Sequence, residues 1–146
     1  MVQVVLPNDA NPLGYALGGV VMHQIDIAAA IAAHRHTRSL LVTAAVDGLQ
    51  FLHPIIVGDL MIVHARVTGT FTTSLEVEVE VFSEGTLTGT RLLTSVAYLT
   101  FVTVIKDGQR VPVPPLQLET DDDRRRAADA EHRRSLRLQA RRPLKP

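Results

Sequence analysis

Between Thr72 and Phe82 apolar and acidic residues alternate, with Leu75, Val77, Val79 and Val81 interleaved by Glu76, Glu78 and Glu80. Side chains of a strand point in turn to opposite faces, so a period of two is buried well only by a β-strand. The pattern predicts one buried face and one wet acidic face, as in an antiparallel sheet covered on a single side. Whatever else the chain forms, it has to supply a layer for that apolar face.

The segment from about Gly18 to His34 is suited to be that layer. Val21, Ile25, Ala28, Ala29, Ala32 and Ala33 fall on one side of a helix, and Met22, Ile27 and Ile31 widen the stripe until the segment is apolar almost all round. This predicts a buried helix. Its alanines leave little bulk, which suits close packing against a sheet that wraps it. The preceding residues 7–19, PNDANPLGYALGG, are dense in turn formers and predict an ordered loop.

After the polar break at His34 to Arg38, the body reads as strands at Leu40 to Phe51, Asp59 to Thr70, Thr72 to Phe82 and Arg91 to Ile105, with turns at Gly85 to Gly89 and at Lys106-Asp107-Gly108. One helix followed by four long strands, with no helix between them, excludes an alternating parallel design and predicts an α+β fold with an antiparallel sheet. Val111-Pro112-Val113-Pro114-Pro115 ends the sheet, because proline cannot donate to a ladder. The organisation expected is a domain over 1–115 and a charged, helical C-terminal tail over 116–146, its helix running from about Asp121 to Gln139 behind a capping box at Thr120. A solvated or frayed tail is the usual fate of such a segment. The alternative is docking on a neighbouring subunit or on ligand phosphates.

Composition narrows the function classes. The 146 residues carry 15 basic and 15 acidic side chains, so no global basic field recruits nucleic acid. The balance is uneven: 6 basic and 9 acidic residues up to Leu118, then 9 basic and 6 acidic from Glu119. There is no cysteine, which removes disulfides, thiolate metal sites and a cysteine nucleophile. Residues 1–7 lack the marks of a signal peptide and no apolar run is long enough to span a membrane, so the expectation is a cytoplasmic protein without membrane contact.

Asp26 is a carboxylate in the middle of an otherwise apolar helix. Burying an unpaired charge costs several kcal/mol, roughly, so such a group is paired, neutral or functional. It could serve as a base whose strength rises with burial, or it could cap a loop or pair with Arg35 or Arg38. Gly18-Gly19 at the helix start would let a ligand approach free backbone N–H groups where the helix dipole favours negative charge. Together they suggest amides for an oxyanion and a carboxylate two turns on to activate water. His23, three residues before Asp26, is sterically placed to modulate it. No metal-ligand pattern, GxSxG frame or phosphate loop is present, so no metal is expected.

The stretch from Pro7 to Asp26 resembles the signature of the acyl-CoA hydrolase family of hot-dog thioesterases. Its pattern, an Asn three before a Gly, then Gly-Gly, then an acid seven after the second Gly, is matched at Asn11, Gly14, Gly18, Gly19 and Asp26. Asp47 to Asp59 resembles the family's second block and Thr72-Thr73-Ser74-Leu75 its third. The resemblance implies a hot-dog fold, a long central helix wrapped by a curved antiparallel sheet, in homodimers joined edge to edge and grouped as a trimer of dimers, a hexamer. It implies acyl-CoA as substrate, with CoA entering only as part of substrate and product and no separate cofactor. It further implies that Asn11 of one subunit faces Asp26 of the other, that Asp26 activates water or attacks the thioester, and that Asn11 and the Gly19 amide polarise the carbonyl. Gly14, Gly18, Thr73 and Ser74 are carried over as substrate-binding. His23 falls where the family is not expected to fix a residue type.

Two other functions share the fold. A non-catalytic acyl-CoA sensor would carry a DNA-binding segment, whereas this chain enters its first loop directly. A hot-dog acyl-thioester dehydratase would need a catalytic His with a carboxylate; His53-Pro54 resembles such a block superficially but lacks the downstream Pro-Gly and acid.

Overall fold

The computed structural model describes residues 1–143. A short strand β1 (Val2–Val4) and a single 3-10 turn (Pro7–Asp9) lead into a loop and then the helix α1 (Gly18–Thr37). Four long strands follow, β2 (Leu41–Phe51), β3 (Leu60–Thr70), β4 (Ser74–Glu84) and β5 (Arg91–Thr103), then a hairpin of β6 (Ile105–Lys106) and β7 (Gln109–Arg110), and finally α2 (Asp121–Ala140). The main sheet is antiparallel throughout its pairings, in the order β1-β3-β4-β5-β2. The long helix on a curved antiparallel sheet is the hot-dog arrangement. No helix among the described residues is long and apolar enough to cross a membrane.

The core lies between α1 and the inner face of the sheet. Leu75, Val77, Val79 and Val81 of β4, with Ala97, Leu99 and Phe101 of β5, meet Val21, Ile25, Ala28, Ala29 and Ala33 of α1. The small helix residues let the backbone of α1 come close to the strands, and the branched strand residues fill the gap. Only one side of α1 is buried. Met22 and Ile31 are exposed, so the expected all-round burial does not occur within the single chain, whose sheet covers one flank of the helix.

The outer face departs further from expectation. Glu76 is 1% exposed and Glu78 7%, where a wet acidic face was predicted. Both are covered by α2, which lies across the outer face. Arg133 donates from Nε and Nη2 to the two carboxylate oxygens of Glu76 at 2.9 and 2.8 Å, Arg126 donates to Glu78 at 2.6 Å, and Arg137 reaches Asp47 on β2 at 2.8 Å. The alternation in β4 does form a strand, but period two cannot say whether a polar face meets water or a matching row of arginines. The Arg133 guanidinium also stacks 3.7 Å over the Tyr98 ring. Burial and the nearby Glu78 carboxylate raise the Tyr98 pKa, and the bond to Glu76 raises that of Arg133.

The segment from Asp121 to Ala140 is therefore an ordered helix seated by one side on the sheet, its other side exposed. Its first turn is held by the expected box: Thr120 Oγ1 accepts from Asp123 N at 3.0 Å, and Asp123 accepts in return from Thr120 N and Glu119 N, each at 3.1 Å. Ala130 is fully buried at the contact with β3, where Gly69 leaves room for it.

Candidate active site

Asp26 leaves α1 on the flank turned toward β2. Thr43 of β2 is the cross-strand partner of Phe101, which is buried under α1, and partners in an antiparallel pair share a face. Thr43 therefore faces the helix, and its Oγ1 donates to Asp26 Oδ1 at 2.8 Å. A register shift between Thr43 and Ala45 then turns the chain so that Ala45 opposes Thr100 on the other face. Thr43 escaped the reading of the sequence. A lone threonine in a strand has no periodic signature, and only the pairing register shows that it meets the helix.

A cavity of about 320 Å³ opens beside this pair, lined by Gly19, Met22, His23 and Asp26 from α1 and by Thr43, Val46 and Leu49 from β2. The structure thus brings Gly19 and Asp26 to one space. At the helix start no side chain caps the first turn, and a Cβ placed on Gly19 would meet nothing within 4 Å. The N–H groups of Gly18 and Gly19 take part in no hydrogen bond among the described residues. An uncapped first turn leaves donors that a negative oxygen can take up. Gly18 sits against the Phe51 ring, whose edge would be 3.5 Å from a Cβ there.

Asp26 itself is exposed, which corrects the expectation of a buried carboxylate. β2 is the edge of the sheet, and among the described residues no strand pairs beyond it. His23 shares the cavity but makes no hydrogen bond to Asp26. His53 is exposed and does not line the cavity. Among the described residues no three His, Asp or Glu side chains converge as metal ligands.

Asn11 is not among the residues lining the cavity. Its Oδ1 accepts from Leu13 N at 3.0 Å and Tyr15 N at 3.1 Å, closing the loop around Gly14, which adopts φ +80°. The two backbone donors fix the carbonyl of the Asn11 amide, and its Nδ2 makes no hydrogen bond among the described residues. Thr73 and Ser74 lie elsewhere altogether, lining a second cavity on the outer side of the sheet beneath the end of α2.

Residues 13–90 match the thioesterase superfamily. The chain belongs to it. It is 40% identical over 119 residues to an uncharacterized acyl-CoA thioester hydrolase of Bacillus subtilis, covering 82% of this chain and 69% of that one. It spans only 36% of the longer human cytosolic acyl coenzyme A thioester hydrolase, to which it is 33% identical. Among solved structures, an apo hexameric acyl-CoA thioesterase superposes with a TM-score of 0.89 at 38% identity over 96% of this chain and 90% of that one. An acyl-CoA hydrolase of Staphylococcus aureus in complex with butyryl coenzyme A and coenzyme A superposes with a TM-score of 0.84 at 32% identity, covering 96% and 88%. Structures of that S. aureus enzyme include variants with alanine in place of an Asn, an Asp and a Thr, spaced along its chain as Asn11, Asp26 and Thr43 are spaced here.

Proposed function

We propose that this thioesterase hydrolyses acyl-CoA to free CoA and a carboxylic acid, with Asp26 as the group that activates water or attacks the thioester carbon. The observation that carries the reading is the cavity in which a carboxylate, oriented by Thr43, shares space with the uncapped amides of the α1 start. The thioester carbonyl oxygen gains negative charge as the tetrahedral intermediate forms. Donors fixed beforehand at the helix start stabilise that charge without reorganising. Thr43 holds one carboxylate oxygen in place and leaves the other to act. The matching spacing of the residues replaced in the S. aureus enzyme supports Asn11, Asp26 and Thr43 as one working set.

The exposed flank of Asp26 and the free edge of β2 point to a homo-oligomer. β2 carries unpaired backbone groups together with exposed Val42, Val46 and Phe51, a template that a second copy satisfies by pairing its own β2. About 11 Å of helix rise separates Gly19 from Asp26, and Asn11 lies further back still. A two-fold dimer places Asn11 of one subunit over Asp26 of its partner. The trimer of dimers is in keeping with the hexameric relative, and a cytoplasmic location with a chain that has no cysteine.

Mixing two inactive chains tests this. Asp26→Ala and Asn11→Ala proteins, unfolded and refolded together, form mixed dimers in which one site holds both residues and the other neither. Random pairing makes about half the dimers mixed, so activity should return to roughly a quarter of wild type by that symmetry. A mixture that is dimeric yet inactive would show that each site is built within one chain.

A further inference from the structure

We propose that the cavity between the end of α2 and the outer face of β2 and β5 binds a phosphate ester bearing at least two phosphoryl groups. This site is distinct from the Asp26 cavity, being on the opposite side of the sheet, and its binding test does not depend on the thioesterase reading. The space is about 670 Å³, twice the volume beside Asp26. It falls in the range of small-molecule sites, roughly 300–1,000 Å³.

Its charge is one-sided. Arg110, Arg134, Arg137 and Arg141 line it, and Asp47 is the only acid among the lining residues. Asp47 is paired with Arg137, which leaves Arg110, Arg134 and Arg141 without a carboxylate partner among the described residues, Arg110 donating to the Thr103 carbonyl and Arg134 stacking on the Phe71 ring. Elsewhere on α2 the arginines are matched: Arg124, Arg125, Arg126 and Arg133 all have carboxylate partners. The terminal carbonyls of α2 account for only about half an elementary charge, so capping the helix explains one of the three at most. Guanidinium groups bind phosphoryl oxygens by paired N–H donors, and three such groups suit a diphosphate.

The second observation is Thr100. It is 5% exposed, lines this cavity, and its Oγ1 is a buried polar atom without a hydrogen-bond partner. Such groups are rare in native structures because an unmade bond is costly. Rotation about χ1 exchanges the methyl and hydroxyl of a threonine, so a ligand oxygen in the cavity can take up that donor. Thr73 and Ser74 add hydroxyls to the lining, and Leu138 and Val102 give apolar surface for the organic part of the ester.

The probe is inorganic pyrophosphate, titrated calorimetrically into the assembled full-length protein at low and moderate salt. Saturable binding at one site per chain is expected, weakened at least tenfold in the Arg110→Ala/Arg141→Ala double variant. Arg141 is exposed and free of ion pairs among the described residues, so Arg141→Ala alone gives a folded control with a smaller loss. Thr100→Val separates a ligand role from a packing fault: it should raise Tm and weaken pyrophosphate binding, whereas a mere fault would raise Tm alone. Two sources of the phosphates are distinguished by kinetics. If they belong to acyl-CoA, the double variant raises KM about tenfold with kcat kept and CoA displaces pyrophosphate. If they belong to a separate effector, KM is unchanged and pyrophosphate binds in the presence of saturating CoA. No saturable binding to the wild-type protein, or binding indifferent to the double variant, overturns the proposal.

Discussion

The two faces of the sheet are each covered by a helix of 20 residues, and the two helices are held by opposite chemistry. α1 lies on the inner face through valine, isoleucine and alanine, with no side-chain cap on its first turn and an exposed acid on its flank. α2 lies on the outer face through arginines set against buried glutamates, with its first turn closed by Thr120 and Asp123. Apolar packing is non-directional and leaves the helix end free for a ligand. Paired charges and caps use up their donors and acceptors in holding the element. The inner face thus keeps an open helix end, and the first turn of α2 is committed to structure.

The largest effect on stability should come from breaking the outer face. Arg133→Ala leaves the Glu76 carboxylate buried with only Thr68 Oγ1 to bond it, at 2.6 Å. Removing one partner of a buried ion pair costs about 3–5 kcal/mol, which at this chain length lowers Tm by roughly 10 °C or more. Turnover measured below the new Tm should stay near wild type, because Asp26 is on the other face. A large loss of kcat with intact folding would join the two faces that the comparison keeps apart.

Asp26→Ala is the mirror image. It should lower kcat for acyl-CoA hydrolysis about 100-fold or more, some 2.7 kcal/mol of barrier. An exposed side chain with one hydrogen bond contributes little to folding, so urea unfolding should change by no more than about 0.5 kcal/mol. A folded Asp26→Ala protein with wild-type turnover would remove Asp26 from the mechanism.

How much of this was legible beforehand differs between the faces. The inner helix, the four long strands and the turn at Asp107-Gly108 could be read because period, length and turn residues are local signals. The pairing of Asp26 with Gly19 in one cavity was legible too, since a helix fixes the relation between its own residues. Thr43 was not, because its contact with Asp26 depends on a register between strands far apart in sequence. The burial of Glu76 was missed for the same reason: its partner Arg133 is on a different element, and nothing local distinguishes a glutamate facing water from one facing an arginine. β1 was missed because three residues, paired only with β3, are too few for a pattern.

A smaller effect probes a place where α2 touches the sheet without charge. A Cβ on Gly69 would lie 2.8 Å from the Ala130 Cβ, and neither atom can swing away because both are fixed to backbone. Gly69→Ala should cost about 1–3 kcal/mol, as overpacking does, and loosen α2 while kcat is kept. Ala130→Gly in the same chain relieves the clash but puts glycine inside a helix, at about 1 kcal/mol. The double variant should recover only part of the loss in Tm. If Gly69→Ala leaves Tm and the amide exchange of α2 unchanged, the helix does not seat on β3 at that distance.

The smallest effect is a difference in how the two helix starts respond to acid. Backbone N–H groups of Glu119 and Thr120 donate to the Asp123 carboxylate and hold its pKa below the ordinary carboxylate value, and the bond from Arg126 does the same for Asp122. Both groups therefore bind a proton more readily in the unfolded chain. Their contribution is fully present above the unfolded value, about pH 4, and is lost as the pH falls through the lower folded values. Amide exchange in the first turn of α2 should be steady from pH 7 to pH 5, once corrected for intrinsic rate, and lose protection below about pH 4. The first turn of α1 carries no acid and no side-chain cap, so it should show no such step. Asp123→Asn keeps an acceptor of the same shape and removes the charge, which should flatten most of the α2 response. An acid step of equal size at both helix starts, or one that survives Asp123→Asn and Asp122→Asn together, would mean that the response comes from the fold as a whole and not from the cap.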